Sequence, residues 1–334
     1  MTLLTAVSTI LAGCGLTMDK YDWRANESAP EGYPMEVVSG SFYFANNKGS
    51  LYVPPYKTVQ NGWGHGVSIH VTGADTKPLP NRLYLRFFSY TENQYYEGDF
   101  ALPYDTISQL FKKGYYSQAD KGDVTYSEIT AGMAPGGGVA VWLNGLDKRT
   151  AVFYGYADKV DSKWGELSGD SDLTRQEFVD FMLDNHIKEA GREKLAEDGI
   201  PYGLWEKYYK QRYYWLPVFK GPNPPEIFIR LKYFNGEHDF LYPLGDGATP
   251  TEARAVPRYI EFRWRSPNER NYIFELNFDE QEIYEAFEKI SINNSPLQLE
   301  MRVEWEGKKG SMTYFLTNGD TEIQLNKTYA NILQ

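Results

Sequence analysis

The chain carries the same alternating pattern twice, and this limits its fold more than any other feature. Residues Pro80 to Ser89 match Pro257 to Ser266 position for position at an offset of 177, with Leu83, Leu85 and Phe87 recurring as Ile260, Phe262 and Trp264. Apolar residues at every second position are the signature of a half-buried strand. Phe100, Leu102, Tyr104 and Asp105 recur as Phe274, Leu276, Phe278 and Asp279, and each Asp is placed to N-cap a short helix. The first helix carries Ile107, Leu110 and Phe111, the second Ile283, Ala286 and Phe287, and Asp279 with Glu282 reads as a capping box. Farther on, Val139, Val141 and Leu143 line up with Met301, Val303 and Trp305, and Val152, Tyr154 and Tyr156 with Met312, Tyr314 and Leu316. Extra strands precede each copy, around Phe42, Phe44, Leu51 and Val53, and around Ile227, Ile229, Leu231 and Tyr233. The pattern predicts a mainly β (α+β) protein. Two tandem copies of a sandwich-like unit, each with a short helix, flank a two-helix insert.

The insert is where the period changes. Thr174 and Glu177 frame a capping box, followed by Phe178, Phe181, Met182, Ile187 and Leu195 near one helical face. Gly199 and Pro201 break that helix, and a second is expected from Tyr202 to about Tyr213, bearing Trp205, Lys207, Tyr208, Tyr209, Lys210 and Arg212. The charged stretch from Asp158 to Asp172 is the expected boundary. The organisation expected is a signal peptide over 1–13, a lipid anchor and tether over 14–22, a first β-rich domain over 23–160, a connector and helical insert over 161–213, and a second β-rich domain over 214–334.

Met1 to Ala12 is uncharged and ends in Leu11, Ala12 and Gly13 before Cys14, the single cysteine. A short apolar run closed by small residues and then Cys reads as a bacterial lipobox, with Cys14 lipidated and the protein held in the periplasm, at the outer membrane because Gly15 follows. A buried first element holding a free thiol is the alternative. No later apolar run approaches membrane-spanning length, so the membrane is expected to be met through acyl chains alone. The net charge of -11 and a pI near 5.0 argue against nucleic acid and against polybasic attachment to lipid, and suit an acidic face for a basic protein partner. The 27 Tyr and 8 Trp favour strands and also suit a recognition surface.

No catalytic motif stands out. Neither a Gly-x-Ser-x-Gly elbow nor a His-Glu-x-x-His pair occurs. The four histidines are His65, His70, His186 and His238, and the offset of five between the first two puts them on opposite faces of a strand, a poor metal pair. The glycines from Gly132 to Gly138 lack the Lys-Ser/Thr of a phosphate loop and read as a tight turn needing positive φ. Gly62, Gly64 and Gly66 around Trp63 and His65 read likewise, with Trp63 either an exposed anchor or a packed ring. Asp170, Asp172 and Thr174 begin like a calcium loop but lack its Gly and Glu, and read as a helix entry. No cofactor and no catalytic residue is expected. Two segments are candidates for partner contact. One is the hairpin tip with Tyr90, Tyr95 and Tyr96 beside Glu92 and Glu97, and the other is the helix with Trp205, Tyr208 and Tyr209. The competing expectation is that these rings fold back onto the second domain or the insert.

Several stretches together resemble one family of bacterial lipoproteins catalogued as a domain of unknown function. They are the lipobox, Trp23 and Arg24 leading to Gly32 through Val37, Pro78 to Arg82, Phe88 to Glu92, Leu102 to Asp105, and Ala134 to Leu143. Genes of that family commonly lie beside those for phospholipase effectors of type VI secretion. The resemblance therefore implies an immunity role in the periplasm, with the secreted lipase as partner, and transfers no catalytic residues. The alternative in another class is a carbohydrate- or envelope-binding lipoprotein without catalysis.

Overall fold

The computed structural model describes residues 19–68, 73–169, 172–223, 229–241, 249, 252–291, 296–306 and 309–333. Cys14, His70 and Asp170, on which the lipobox, the histidine pair and the calcium-like start rest, lie outside them. The first half contains β1 (Arg24–Ser28), β2 (Met35–Phe44), β3 (Ser50–Tyr52), β4 (Pro80–Ser89), β5 (Gln94–Ala101), α1 (Tyr104–Lys113), β6 (Glu128–Ala134), β7 (Gly138–Asn144), β8 (Arg149–Tyr156) and β9 (Asp158–Val160). The insert holds α2 (Gly165–Ser168), α3 (Arg175–His186), α4 (Glu189–Asp198) and α5 (Leu204–Lys210). The second half contains β10 (Arg212–Lys220), β11 (Ile229–Tyr233), β12 (His238–Leu241), β13 (Pro257–Arg265), β14 (Asn271–Asn277), α6 (Glu280–Ile290), β15 (Leu297–Glu306), β16 (Lys309–Thr317), β17 (Glu322–Gln324) and β18 (Tyr329–Leu333). The protein is mainly β with helices added, as the alternation requires.

Among the described residues these strands form three large sheets. One runs β9-β5-β4-β2-β3, one β1-β6-β7-β8-β12-β11-β13-β14-β18, and one places β10-β15-β16-β17 after the short strand Ala253–Ala255. Each half packs one sheet on another. Leu83, Leu85 and Phe87 of β4 share a core with Ile129 and Met133 of β6, Val141 of β7 and Phe111 of α1. Ile260, Phe262 and Trp264 of β13 do the same with Leu299 and Met301 of β15 and Phe287 of α6.

The two halves have the same strand order. The run β9-β5-β4-β2-β3 corresponds to β18-β14-β13-β11-β12, and β1-β6-β7-β8 to β10-β15-β16-β17. Both contain a parallel pair amid antiparallel neighbours, β1 with β6 and β10 with β15. The correspondence reaches single bonds. Trp23 Nε1 donates to the Pro78 carbonyl at 3.2 Å, and Trp215 Nε1 to the Ala255 carbonyl at 3.0 Å, the positions 78 and 255 being again 177 apart. The large sheet is continuous because β8 pairs with β12 through Arg149 and His238. The counterparts of these two strands are β17 and β3, so the joint links unlike edges and sets the units head to tail.

Registration corrects three expectations. Leu83 faces Phe100 and Ile260 faces Leu276, which equates Phe100 with Leu276 and Pro103 with Asp279. Asp105 accordingly lies inside the first turn of α1, whose N-cap is Pro103 with no side-chain bond, whereas Asp279 does cap α6, accepting from the Glu282 N–H at 2.9 Å. A slip of two residues keeps every side chain on its face, so the alternation alone does not detect it. Glu282 completes no capping box either, since its carboxylate accepts from the N–H groups of Asn326 and Lys327 at 2.8 Å. The strand carrying Met301 and Val303 matches β6 by its parallel partner, and the strand with Met312 and Tyr314 matches β7; Val139 to Leu143 and Val152 to Tyr156 therefore belong one strand later than the sequence pairing had them.

The insert differs as well. The Thr174–Glu177 capping box is present, but the long first helix divides at Ile187, which turns extended (φ -114°, ψ 121°) and buries its side chain. The second helix stops at Lys210, and Arg212 and Tyr213 open β10.

Candidate functional site

The site is built where the two halves meet. Gly64 and Gly236 bring their backbones together there, with φ of +79° and +83°; a Cβ on Gly64 would meet the Gly236 carbonyl oxygen at 2.9 Å, and one on Gly236 the Trp63 oxygen at 2.7 Å. Glycine is required at both for conformation and for space. Trp142 Nε1 donates across the joint to the Asn235 carbonyl at 3.1 Å, and Lys148 pairs with Asp239 at 2.9 Å. Trp63 meets Trp142 edge-on at 4.7 Å and leans on Trp205 at 6.3 Å. Trp63 is thus the packed ring of the two alternatives.

A cavity of about 280 Å³ opens at this joint. Its charged lining is Arg149 from β8, Arg230 and Lys232 from β11, Arg258 from β13, and one carboxylate, Glu237; His65 and His238 complete it beside Trp63 and Phe234. Glu237 is engaged, accepting from the Ala151 N–H at 3.0 Å and from Arg212 Nη2 at 2.7 Å. Arg230 pairs with Glu261 at 2.9 Å and lies over the Phe240 ring, and Lys232 Nζ stands 4.8 Å above the Tyr259 ring. Arg149 Nη1 donates to the Gly236 carbonyl at 3.1 Å, while its Nε, the Nε of Arg230 and Nε2 of His238 are buried with no hydrogen-bond partner.

The positive groups suppress one another. Loss of water, then the field of Arg149, Arg230 and Lys232, pulls His238 down to about 3, although Asp147 opposes this. Desolvation with Arg149, Lys232 and Arg258 facing it brings His65 at the rim to about 4. Burial, with Arg258 adding to it and Glu128 opposing, lowers Arg149 to about 10. Lys232 is lowered by burial and by Arg230, Arg258 and Arg149, against Glu261. Both histidines are neutral at pH 7, and the arginines and lysine hold the charge. An anion entering the cavity would offset the mutual repulsion of these positive groups, though not their desolvation.

The residues expected to meet a partner lie elsewhere. Tyr90, Tyr95 and Tyr96 are at most 1% exposed, and Trp205 and Tyr208 are buried as well. Tyr90 and Tyr95 form one apolar cluster with Val179 and Phe178 of α3, so this tip folds back onto the insert. Tyr90 donates to Glu36 at 2.6 Å and Tyr96 to Glu92 at 2.7 Å. Glu92 also accepts from the Gly136 N–H at 3.1 Å, holding the tight turn in which Gly136 and Gly137 take positive φ. Glu97 lies 3.4 Å from Arg86. Tyr209 is half-buried against Tyr154, and Tyr208 stacks on Tyr284 at 5.7 Å. These rings hold the insert and the second half in place, which removes them as an exposed aromatic surface.

Arg149, Arg230, Lys232, His238 and Arg258 were missed by sequence reasoning because β11 gathers four of them through its pairing with β12 and β13, and the β8–β12 pairing adds Arg149. One signal was available: Arg230 and Lys232 alternate with Ile229, Leu231 and Tyr233, which sets two cations on one strand face. Among the described residues no group of His, Cys, Asp and Glu has the geometry of a metal site, and no helix is long and apolar enough to cross a membrane.

Fold and site together define a β-rich α+β protein of two like-ordered units with a cation-lined pocket at their joint. The chain belongs to the family described as protein of unknown function (DUF2931), whose pattern matches residues 13–203, more than half of the 334. No curated protein and no solved structure matches it.

Proposed function

We propose that this protein is a lipid-anchored periplasmic immunity protein, tethered through Cys14, that binds and blocks a phospholipase effector of type VI secretion. The resemblance carried by the lipobox and the first unit supports the cellular role. A toxin acting on membrane lipid is best met at the membrane, where a tether raises the local concentration of its inhibitor. The observation that favours binding over turnover is the state of the joint pocket. Its histidines, lowered to about 4 and about 3, are weak bases at neutral pH, and its single lining carboxylate is held by Ala151 and Arg212. The carbohydrate-binding alternative relied on aromatic faces; Tyr90, Tyr95, Tyr96, Trp205 and Tyr208 are buried and offer none, which leaves it to exposed rings such as Tyr56, Tyr202 and Tyr329.

The test is protection in cells. The genes flanking this one are read for a secreted phospholipase, and that enzyme is directed to the periplasm of a sensitive strain, with and without this protein. Growth is restored by the wild type and restored less by Cys14→Ser at equal abundance. Unrelieved killing with the wild type present overturns the proposal.

A further inference from the structure

The hairpin that supplies most of the pocket has a counterpart in the first half, and the comparison isolates what the fold itself demands. In β2 and β4, Ser41 faces Tyr84, Tyr43 faces Arg82, and the register then slips so that Phe44 faces Pro80 and Asn81 is left over. In β11 and β13, Arg230 faces Glu261, Lys232 faces Tyr259, and the same slip sets Tyr233 opposite Pro257 and leaves Arg258 over. On the other side Tyr43 faces Ser50, as Lys232 faces His238. Arg230, Lys232, His238 and Arg258 therefore occupy the places of Ser41, Tyr43, Ser50 and Asn81. One hairpin builds its bulge without a charge at these places, and the other gathers three cations and a histidine. A bulge re-aims the side chain it leaves unpaired, and here that side chain is Arg258, which lines the cavity.

Packing does not require them all: the first unit builds the same bulge with Ser41, Ser50 and Asn81, and only the contact of Lys232 with Tyr259 has a counterpart, that of Arg82 with Tyr43 with the strands exchanged. Nor do they stabilise each other: like charges held close in partial burial disfavour the charged forms. Buried Nε atoms of Arg149 and Arg230 and Nε2 of His238 stand without partners, and native structures leave few such groups. All this occurs in a chain with a net charge of -11, so the positive patch runs against the surrounding field.

We propose that the joint pocket is a binding site for a phosphoryl group. The lining sets four cationic side chains against one carboxylate that is already engaged. A carboxylate presents two oxygens and one charge, which a single guanidinium satisfies. A phosphomonoester presents three oxygens and a charge near -2, which matches cations arriving from three strands. At about 280 Å³ the cavity lies at the lower bound of small-molecule pockets, the size of a phosphorylated head group and too small for an acyl chain. The group can come from a soluble phosphomonoester or from the monoester head group of phosphatidic acid. This inference stands apart from the inhibitor role and survives if that role fails.

The test uses the full chain carrying Cys14→Ser. Glycerol 3-phosphate and acetate are titrated by calorimetry at fixed ionic strength, and vesicles of phosphatidylcholine with and without phosphatidic acid, whose head group is a phosphomonoester, are tested by flotation. Saturable binding of glycerol 3-phosphate, with acetate at least tenfold weaker, is expected. Arg258→Gln and Lys232→Gln each weaken it tenfold or more, while Arg265→Gln, an equal charge change on an exposed part of β13, leaves it unaltered. Retention on vesicles containing phosphatidic acid that glycerol 3-phosphate displaces identifies a lipid head group as the source. Binding of the soluble ester without vesicle retention identifies a free metabolite. The proposal is overturned if glycerol 3-phosphate does not bind at millimolar concentration, if acetate binds as well, or if Arg258→Gln and Lys232→Gln, verified as folded by circular dichroism, bind like the parent or no more weakly than Arg265→Gln.

Discussion

Acid should destabilise this protein through His238 before its carboxylates are titrated. The ring is partly buried, and in the folded state it is held down to about 3 by burial and by Arg149, Arg230 and Lys232, against an ordinary value of 6.5. Between those two values the unfolded chain binds a proton that the folded chain refuses, so stability falls as the pH drops below 6.5 and the loss is complete near 3. Each pH unit is worth about 1.4 kcal/mol. By pH 5 the group therefore removes roughly 2 kcal/mol, an upper bound because solvent penetration screens the neighbouring charges. Glu36 and Asp239 act in the opposite direction, since burial raises both and a raised carboxylate stabilises the fold as the pH falls. A single pH profile mixes these effects, whereas the difference between wild type and His238→Gln isolates the ring. Urea denaturation of both proteins at pH 7.5, 6.5, 5.5 and 5.0 gives that difference. The wild type should lose stability faster, the gap growing through the interval, and saturating glycerol 3-phosphate should shrink it by favouring the imidazolium. Parallel profiles would refute the reasoning about the pocket's charge.

Three further perturbations separate the two halves. Asp279→Ala should cost about 1 kcal/mol as the loss of a true N-cap, and Asp105→Ala clearly less, measured by urea denaturation. Trp23→Phe and Trp215→Phe should each cost about 1–3 kcal/mol in thermal or urea unfolding, because each strands the carbonyl of Pro78 or Ala255. Tyr95→Ala should destabilise by about 3–5 kcal/mol, since its ring is fully buried against Phe88 at 4.6 Å, and a stability change near zero would return it to the surface.

Much of this fold is legible in the sequence because strands write their burial as a period of two. Leu83, Leu85 and Phe87, like Ile260, Phe262 and Trp264, are inward-facing positions of the strands their alternation predicts, and the capping box at Thr174 marked the start of α3. The period also explains the errors. Shifting Asp279 onto Asp105 leaves all apolar residues facing inward, and matching β7 to the strand of Met301 replaces one alternating segment by another. Only hydrogen-bond partners decide between such choices. The tyrosines of the 90–97 tip read equally well as a contact surface or as packing, because the helix that covers them, α3, starts some 80 residues later in the chain. The pocket was the least legible part. Its members come from β8, β11, β12, β13 and the Trp63–His65 loop, and a single residue pair, Arg149 with His238, closes the sheet that gathers them.

The central claim, that this protein blocks a phospholipase, is tested most directly by purifying any phospholipase that the flanking genes encode, titrating it with the Cys14→Ser chain and following release of fatty acid from vesicles. The account predicts that hydrolysis falls linearly to near zero at about one equivalent of inhibitor when the enzyme concentration exceeds Kd. Full hydrolysis in the presence of a tenfold excess would contradict it.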